Sequence, residues 1–213
     1  MAIDADTLWI YRIMSIDNLK QILQNGTFCK RTFPADQEYP TIGNTQIIDQ
    51  RSTMPVKCYP GTVVNDYVPF YFSVRTPMLY NIITGMGVPK RPQKEIIYLC
   101  YKLRDLATED FQWCYTDGNA AKKSTKFYTD LGTIETSIDW RSINTTDFAN
   151  NNADGDEDRI RKKHAEFLVR GHVPAVKICA IVVYNADVQQ QVTKILKPLG
   201  YTIPIRLNNK FYF

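Results

Sequence analysis

One stretch constrains the fold of this chain more than any other: Arg159-Ile160-Arg161-Lys162-Lys163-His164 runs directly into Ala165-Glu166-Phe167-Leu168-Val169. Four of the first six residues are permanent cations. The compact apolar block that follows, with its β-branched residue, suits a buried strand. Glu166 is the one acid between Asp158 and Asp187. It therefore stands at the mouth of a buried strand, partly desolvated, on a rigid element and near cations. Catalytic carboxylates use that setting, and so do salt-bridged acids at a strand edge. The stretch alone leaves both readings open.

The remaining pattern is one of short strands and long loops. Thr7–Ile13 reads as a first strand, followed by a helix over 15–26 with Ser15 as its N-cap and Gly26 as its stop. Residues 30–65 are irregular, and loops of that length in a compact domain are often functional. Within them Ile47–Arg51 predicts a short helix presenting Arg51, the one Arg or Lys between Arg31 and Lys57. Phe70–Val74 reads as a strand, and Thr76-Pro77 caps and opens a helix running to Gly85. Further strands are expected over 95–101, 111–115, 177–184 and 201–206, with an amphipathic helix over 186–199. The turn Thr116-Asp117-Gly118-Asn119 closes one of these strands. Residues 120–158 are polar and weakly patterned, and 150–158 is too acidic and polar to bury anything, which predicts a mobile loop. The sum is an α+β chain. It carries neither GxGxxG nor GxxxxGK[ST], which argues against a doubly wound nucleotide fold.

At 213 residues a single domain over 1–213 is expected. No apolar run reaches membrane-spanning length, and Met1–Asp6 lacks the basic start and apolar core of a signal peptide, so no membrane and a cytoplasmic location are expected. Five cysteines without a CxxC spacing read as reduced thiols. Only His164 and His172 are present, which disfavours a zinc site and leaves few candidates for a His-based triad. A net charge of +4 permits a nucleic-acid partner without requiring one. Thirteen tyrosines can stack on bases or cofactor rings, or simply fill the core.

Three segments resemble a known family. They are Tyr11-Arg12-Ile13 with Asn18-Leu19, Asp66-Tyr67-Val68-Pro69-Phe70-Tyr71-Phe72 with Thr76-Pro77-Met78-Leu79-Tyr80, and Ala165-Glu166-Phe167-Leu168-Val169. Arg51, Thr116-Asp117-Gly118 and Asp139-Trp140 support the match. The chain is similar to DarT, a family of bacterial DNA ADP-ribosyltransferase toxins, from about residue 8 to residue 184. The resemblance implies an ADP-ribosyltransferase fold, with a split β-core, an NAD-binding groove and long loops. It implies NAD as co-substrate, no metal, and transfer of ADP-ribose to a base in single-stranded DNA with release of nicotinamide. It also implies a cognate antitoxin with ADP-ribosyl hydrolase activity. A monomer is expected.

By the same resemblance Glu166 and Arg51 are the catalytic pair. Tyr11, Ser15, Asn18, Leu19, Arg51, Tyr71, Met78 and Tyr80 fall on the cofactor side. Asn119, Arg159, Arg161, Lys162 and Lys163 fall on the DNA side, within or beside the substrate-recognition loop of about residues 141–165. These residue types suit the chemistry. A fixed carboxylate stabilises the positive charge that develops on the ribose, and an arginine can grip a pyrophosphate bidentately. Aromatic side chains can flank the nicotinamide, and lysines and arginines can hold phosphates.

The chain departs from the family pattern twice. Met14-Ser15 stands where members usually carry a histidine, and Asn119 replaces the histidine of a TDGHA turn. Asparagine cannot take up a proton at neutral pH, whereas thymine must lose its imide proton to be modified there. Guanine is therefore expected slightly ahead of thymine. Two other readings stay open: transfer to RNA or protein, and an inactive module that binds ADP-ribose or nucleic acid. Retention of both Arg51 and Glu166 speaks against the inactive one.

Overall fold

The structure, a computed structural model, describes residues 3–35, 38–149 and 155–213. Its strands are β1 (Trp9–Ser15), β2 (Thr27–Phe28), β3 (Tyr67–Tyr71), β4 (Ile96–Lys102), β5 (Trp113–Thr116), β6 (Phe127–Tyr128), β7 (Glu166–Arg170), β8 (His172–Val173), β9 (Ala180–Val183) and β10 (Ile205–Leu207). Its α-helices are α1 (Leu19–Asn25), α2 (Thr45–Thr53), α3 (Pro77–Thr84), α4 (Ile134–Ser137), α5 (Trp140–Asn144), α6 (Arg159–Lys163) and α7 (Ala186–Leu196).

Eight strands form one sheet in the order β10-β9-β4-β1-β3-β7-β5-β6, while β2 and β8 pair separately. The pairing is uneven along that order. β1 runs in register with β4 at seven positions, Trp9↔Lys102 to Ser15↔Ile96, and β3 with β7 at five, Tyr67↔Arg170 to Tyr71↔Glu166. β1 and β3 meet at Tyr11↔Tyr71 alone. The sheet therefore divides at that seam, where Pro69 has no N–H to donate.

Alternation along the strands sorts side chains onto two faces. One face carries the main core: Ile10 and Met14 of β1, Phe70 of β3 and Phe167 and Val169 of β7 pack with Leu19 and Ile22 of α1 and Val188 and Val192 of α7. The other face carries two smaller cores. One gathers Ile13, Tyr98, Leu79 and Ile82, and the other Tyr67, Leu168, Cys114 and Val56. The seam lies between those two clusters, and so does the groove described below.

Local signals explain most boundaries. Ser15 caps a 3₁₀ turn that leads into α1, and Gly26 ends the helix at φ 76°. Thr76 caps α3 with Pro77 at its first position, and Gly85 ends it at φ 82°; only glycine enters that region cheaply. Two expectations need correction. The strand expected at Phe70–Val74 begins three residues earlier and stops at Tyr71, because the chain turns sharply at Arg75, which has φ 52°. Residues 120–149 are not simply irregular: β6, α4 and α5 lie there, and Asp139 caps α5 by accepting from Ser142 N–H at 3.0 Å. The acidic stretch expected to be mobile falls largely on residues 150–154, outside the described residues. Among the described residues no helix is long and apolar enough to cross a membrane, and no group of three or more His, Cys, Asp or Glu is placed to hold a metal ion.

Candidate active site

Glu166 opens β7, as the basic-to-apolar junction predicts, and its side chain is 3% exposed. The register places it directly opposite Tyr71. Its backbone N–H donates to Thr116 Oγ1 at 3.0 Å, and Thr116 in turn donates to Gly118 O at 2.7 Å. The start of the strand is thus pinned to the Thr116–Asn119 turn.

Arg51 comes from α2, which Asn44 caps by accepting from Ile47 N–H. It reaches across 115 positions of sequence to place Nη1 2.9 Å from Glu166 Oε1 and Nη2 2.9 Å from Oε2. This is a parallel two-bond pair with Glu166 buried and Arg51 partly buried, the strongest geometry available to an arginine and a carboxylate. Burial disfavours the guanidinium charge, but the Glu166 carboxylate outweighs it and holds the Arg51 pKa above its ordinary value. The Arg51 fork faces Glu166.

The pair lines a groove of about 440 Å³ at the seam of the sheet, within the usual size range of small-molecule sites. Tyr71, Met78 and Asn119 line it too. The Tyr71 hydroxyl donates to Met78 Sδ at 3.1 Å, and burial followed by the Glu166 charge pushes its pKa well up. Asn119 accepts from Ala121 N–H at 2.9 Å through Oδ1.

Other expected residues stand elsewhere. Tyr80 is 39% exposed and packs against Phe148 and Phe213, away from the groove lining. Tyr11 packs against Tyr98 and Phe211. Ser15 caps the first turn, Leu19 is in the core, and Asn18 donates to Pro40 O. The first strand and helix instead reach the groove through Arg12, Ile13, Gln21 and Ile22.

The basic run also needs correction. It forms α6, and its cations serve inside the protein. Arg161 bridges Asp117 at 2.8 Å and Asp158 at 2.7 Å. Lys162 bridges Asp156 at 3.0 Å and Asp139 at 3.2 Å. Lys163, 2% exposed, donates to the carbonyls of Ile143 and Thr145 at the end of α5, and Arg159 is 7% exposed. Asp117 and Asp139, distant in sequence, and Asp156 and Asp158, just before the run, pair with these cations. The run fastens the segment before Glu166 to the Asp117 turn and to α5. Lys122, in contrast, lines the groove and is exposed.

Two groove residues were missed. Arg12 donates through Nη1 to Pro69 O, but its buried Nε has no partner among the described residues. A buried N–H left unpaired wants an acceptor. With Tyr39, Phe33 and Tyr71 offering aromatic surface, the lining fits a dinucleotide. The Tyr-Arg-Ile motif contained that residue, and charge was the signal. His164 is the second missed residue. It lies two positions before Glu166 on the same side of the chain, and lines the same groove.

Comparison with known proteins agrees with this geometry. A family model described as "ssDNA thymidine ADP-ribosyltransferase, DarT" matches residues 11–213. A DNA ADP-ribosyl transferase of Escherichia coli O127:H6 is 33% identical over 96% of this chain and 93% of its own length. One from Thermus sp. 2.9 is also 33% identical, over 88% and 87%. Among solved structures, Thermus sp. 2.9 DarT in complex with ADP-ribosylated ssDNA superimposes with a TM-score of 0.88 at 29% identity, covering 100% of this chain and 99% of that one. The same Thermus protein in complex with NAD+ gives 0.81 at 28% identity, covering 100% of both.

Proposed function

The chain belongs to the DarT family of DNA ADP-ribosyltransferases, and from that premise we propose that its groove takes NAD as co-substrate and passes ADP-ribose to a base of single-stranded DNA. The observation that carries this assignment is the buried Arg51–Glu166 pair in the seam groove. NAD supplies an ADP-ribosyl group whose bond to nicotinamide breaks with positive charge developing on the ribose. Glu166, fixed by Arg51 and by the start of β7, is the negative charge set to meet it. A carboxylate preorganised in a dry site stabilises such charge without reorganising. Arg51 orients that carboxylate, and Arg12 offers an unpaired donor to a ligand anion. Tyr71 stays a neutral phenol beside the pair.

The acceptor is thymine or guanine. The preference for guanine rests on Asn119 lacking a proton acceptor. Two features bear on that preference: one face of the Asn119 amide is committed to Ala121, and the groove contains an imidazole at His164. The matching family model is itself described by thymidine. Neither base is favoured by what remains.

Adducts on a cell's own single strands block pairing, so the chain is read as the toxin of a pair whose antitoxin hydrolyses the adduct. It is read as one cytoplasmic, monomeric domain. The test incubates the protein with NAD and oligonucleotides lacking G or lacking T, and weighs each strand. The mass of one ADP-ribosyl group on at least one strand, absent with Glu166→Gln, is expected. No adduct on any DNA, with label appearing on RNA or protein instead, would overturn the assignment.

A further inference from the structure

Whichever base accepts ADP-ribose, one N–H proton must leave it as the new bond forms, and the groove must hold a lone pair to receive it. Few lining groups qualify. Arg12, Lys30, Arg51 and Lys122 are cations, and Tyr71 is a phenol held in its protonated form. Glu166 has a carboxylate, but Arg51 holds both its oxygens at 2.9 Å, and the transfer reading sets it against the charge on the ribose. His164 is different. Its Nδ1 lies 2.8 Å from Ile160 O, one turn back in the chain. A carbonyl can only accept, so Nδ1 carries the hydrogen. Nε2 is then the bare nitrogen. It meets no partner among the described residues and is not sealed from solvent. The ring stands 6.2 Å from the Tyr71 ring, centroid to centroid.

Building on the proposed transfer to DNA, we propose that His164 is its general base, taking the departing proton of the target base on Nε2. In that step the bond between the ribose carbon and nicotinamide breaks, with its electron pair leaving on nicotinamide. The bond between the same carbon and the base nitrogen forms, and the proton on that nitrogen moves to Nε2. The imidazolium then returns it to solvent. No oxidant or reductant is needed.

Four groups face the imidazole: Glu166 from β7, Arg51 from α2, Lys163 from α6 and Tyr71 from β3. Burial is the largest influence and holds the pKa below its ordinary value, with Arg51 and Lys163 adding to it, against the Ile160 carbonyl and Glu166. The ring is thus neutral at pH 7 and able to accept.

The experiment compares wild type with His164→Gln, which keeps size and hydrogen bonding but cannot accept a proton. DNA transfer is followed from pH 5 to 8, with NAD affinity measured alongside. The wild-type rate should fall tenfold per pH unit below the imidazole pKa. The variant should lack that acid limb and run about 10²- to 10⁴-fold slower at pH 7.5, with NAD affinity unchanged. Added imidazole should restore part of the rate to His164→Ala. In the unloaded protein, nitrogen NMR should find His164 as the Nδ1–H tautomer, opposite to His172, whose Nε2 faces Asn25 O at 2.7 Å. An Nε2–H tautomer at His164, or a variant that keeps the wild-type rate and acid limb, would overturn the role. A wild type that forms no DNA adduct at all would instead defeat the transfer reading on which it rests.

Discussion

Cutting the Arg51–Glu166 pair on one side should destabilise the fold more than replacing both sides. The side chains are 13% and 3% exposed, and the two bonds are each 2.9 Å. Charges about 4 Å apart attract by about 4 kcal/mol at an effective dielectric near 20. Removing Arg51 alone forfeits that attraction and leaves a carboxylate buried in the sheet seam, so Arg51→Met should cost about 3–5 kcal/mol. For a chain of this size that lowers the melting midpoint by roughly 6–20 °C. Glu166→Gln should cost a similar amount, because it strands the guanidinium. The double variant carries no orphan charge and should lie within about 2 kcal/mol of wild type, a coupling of several kcal/mol. Chemical denaturation of the four proteins measures the cycle directly. Transfer to DNA should be absent in every protein lacking Glu166, the stable double variant included, and this separates lost chemistry from lost fold. Additive losses, with coupling under about 0.5 kcal/mol, would mean the two charges do not meet in solution, and the account of how Glu166 is held would fail.

Four further outcomes follow from the groove and its supports. Changing Arg161, Lys162 and Lys163 together to Ser should lower stability by about 3 kcal/mol or more yet leave the slope of log DNA affinity against log salt unchanged. Lys122→Ser should flatten that slope by about 0.7, one phosphate contact on a single strand, and titrations across salt concentrations read both. Gly118→Ala should cost about 1–3 kcal/mol and reduce transfer, because a Cβ there would come 2.9 Å from Arg161 O and closer still to Arg161 Nη1; an unperturbed melt would contradict the packing of α6 on that turn. His164 is held below its ordinary pKa in the folded state, so below about pH 6.5 the unfolded chain binds the extra proton and stability falls as pH drops. That part of the loss should vanish in His164→Gln, which melting curves between pH 5 and 7 will show.

What could be read from the sequence was whatever depends on near neighbours in the chain. Ser15, Thr76 and Gly85 announce helix ends because caps act within one turn, and Glu166 announces itself because a change from charge to apolar residues marks a strand mouth. The place where the sheet divides was not legible in any local pattern, although the family resemblance implied a split β-core. It depends on β1 and β3 meeting only at Tyr11↔Tyr71, a fact about register between segments more than fifty residues apart. The basic run shows the same limit from the other side. Read locally, Arg161, Lys162 and Lys163 are a patch of charge awaiting phosphates. In the fold, Asp117 and Asp139 arrive from other segments to pair with Arg161 and Lys162, beside Asp156 and Asp158 from just before the run, and the C-terminal end of α5 receives Lys163. A charge's role follows from the nearest opposite charge in space, and in this chain those partners are brought together by tertiary packing. Arg51 and Glu166 obey the same rule at 115 residues' separation. Their pairing was not written in either neighbourhood, though each residue type could be read as chemistry on its own. The groove is therefore best understood as the place where the two halves of the sheet fail to pair, leaving room for a ligand beside a carboxylate that Arg51 and the Thr116 turn hold.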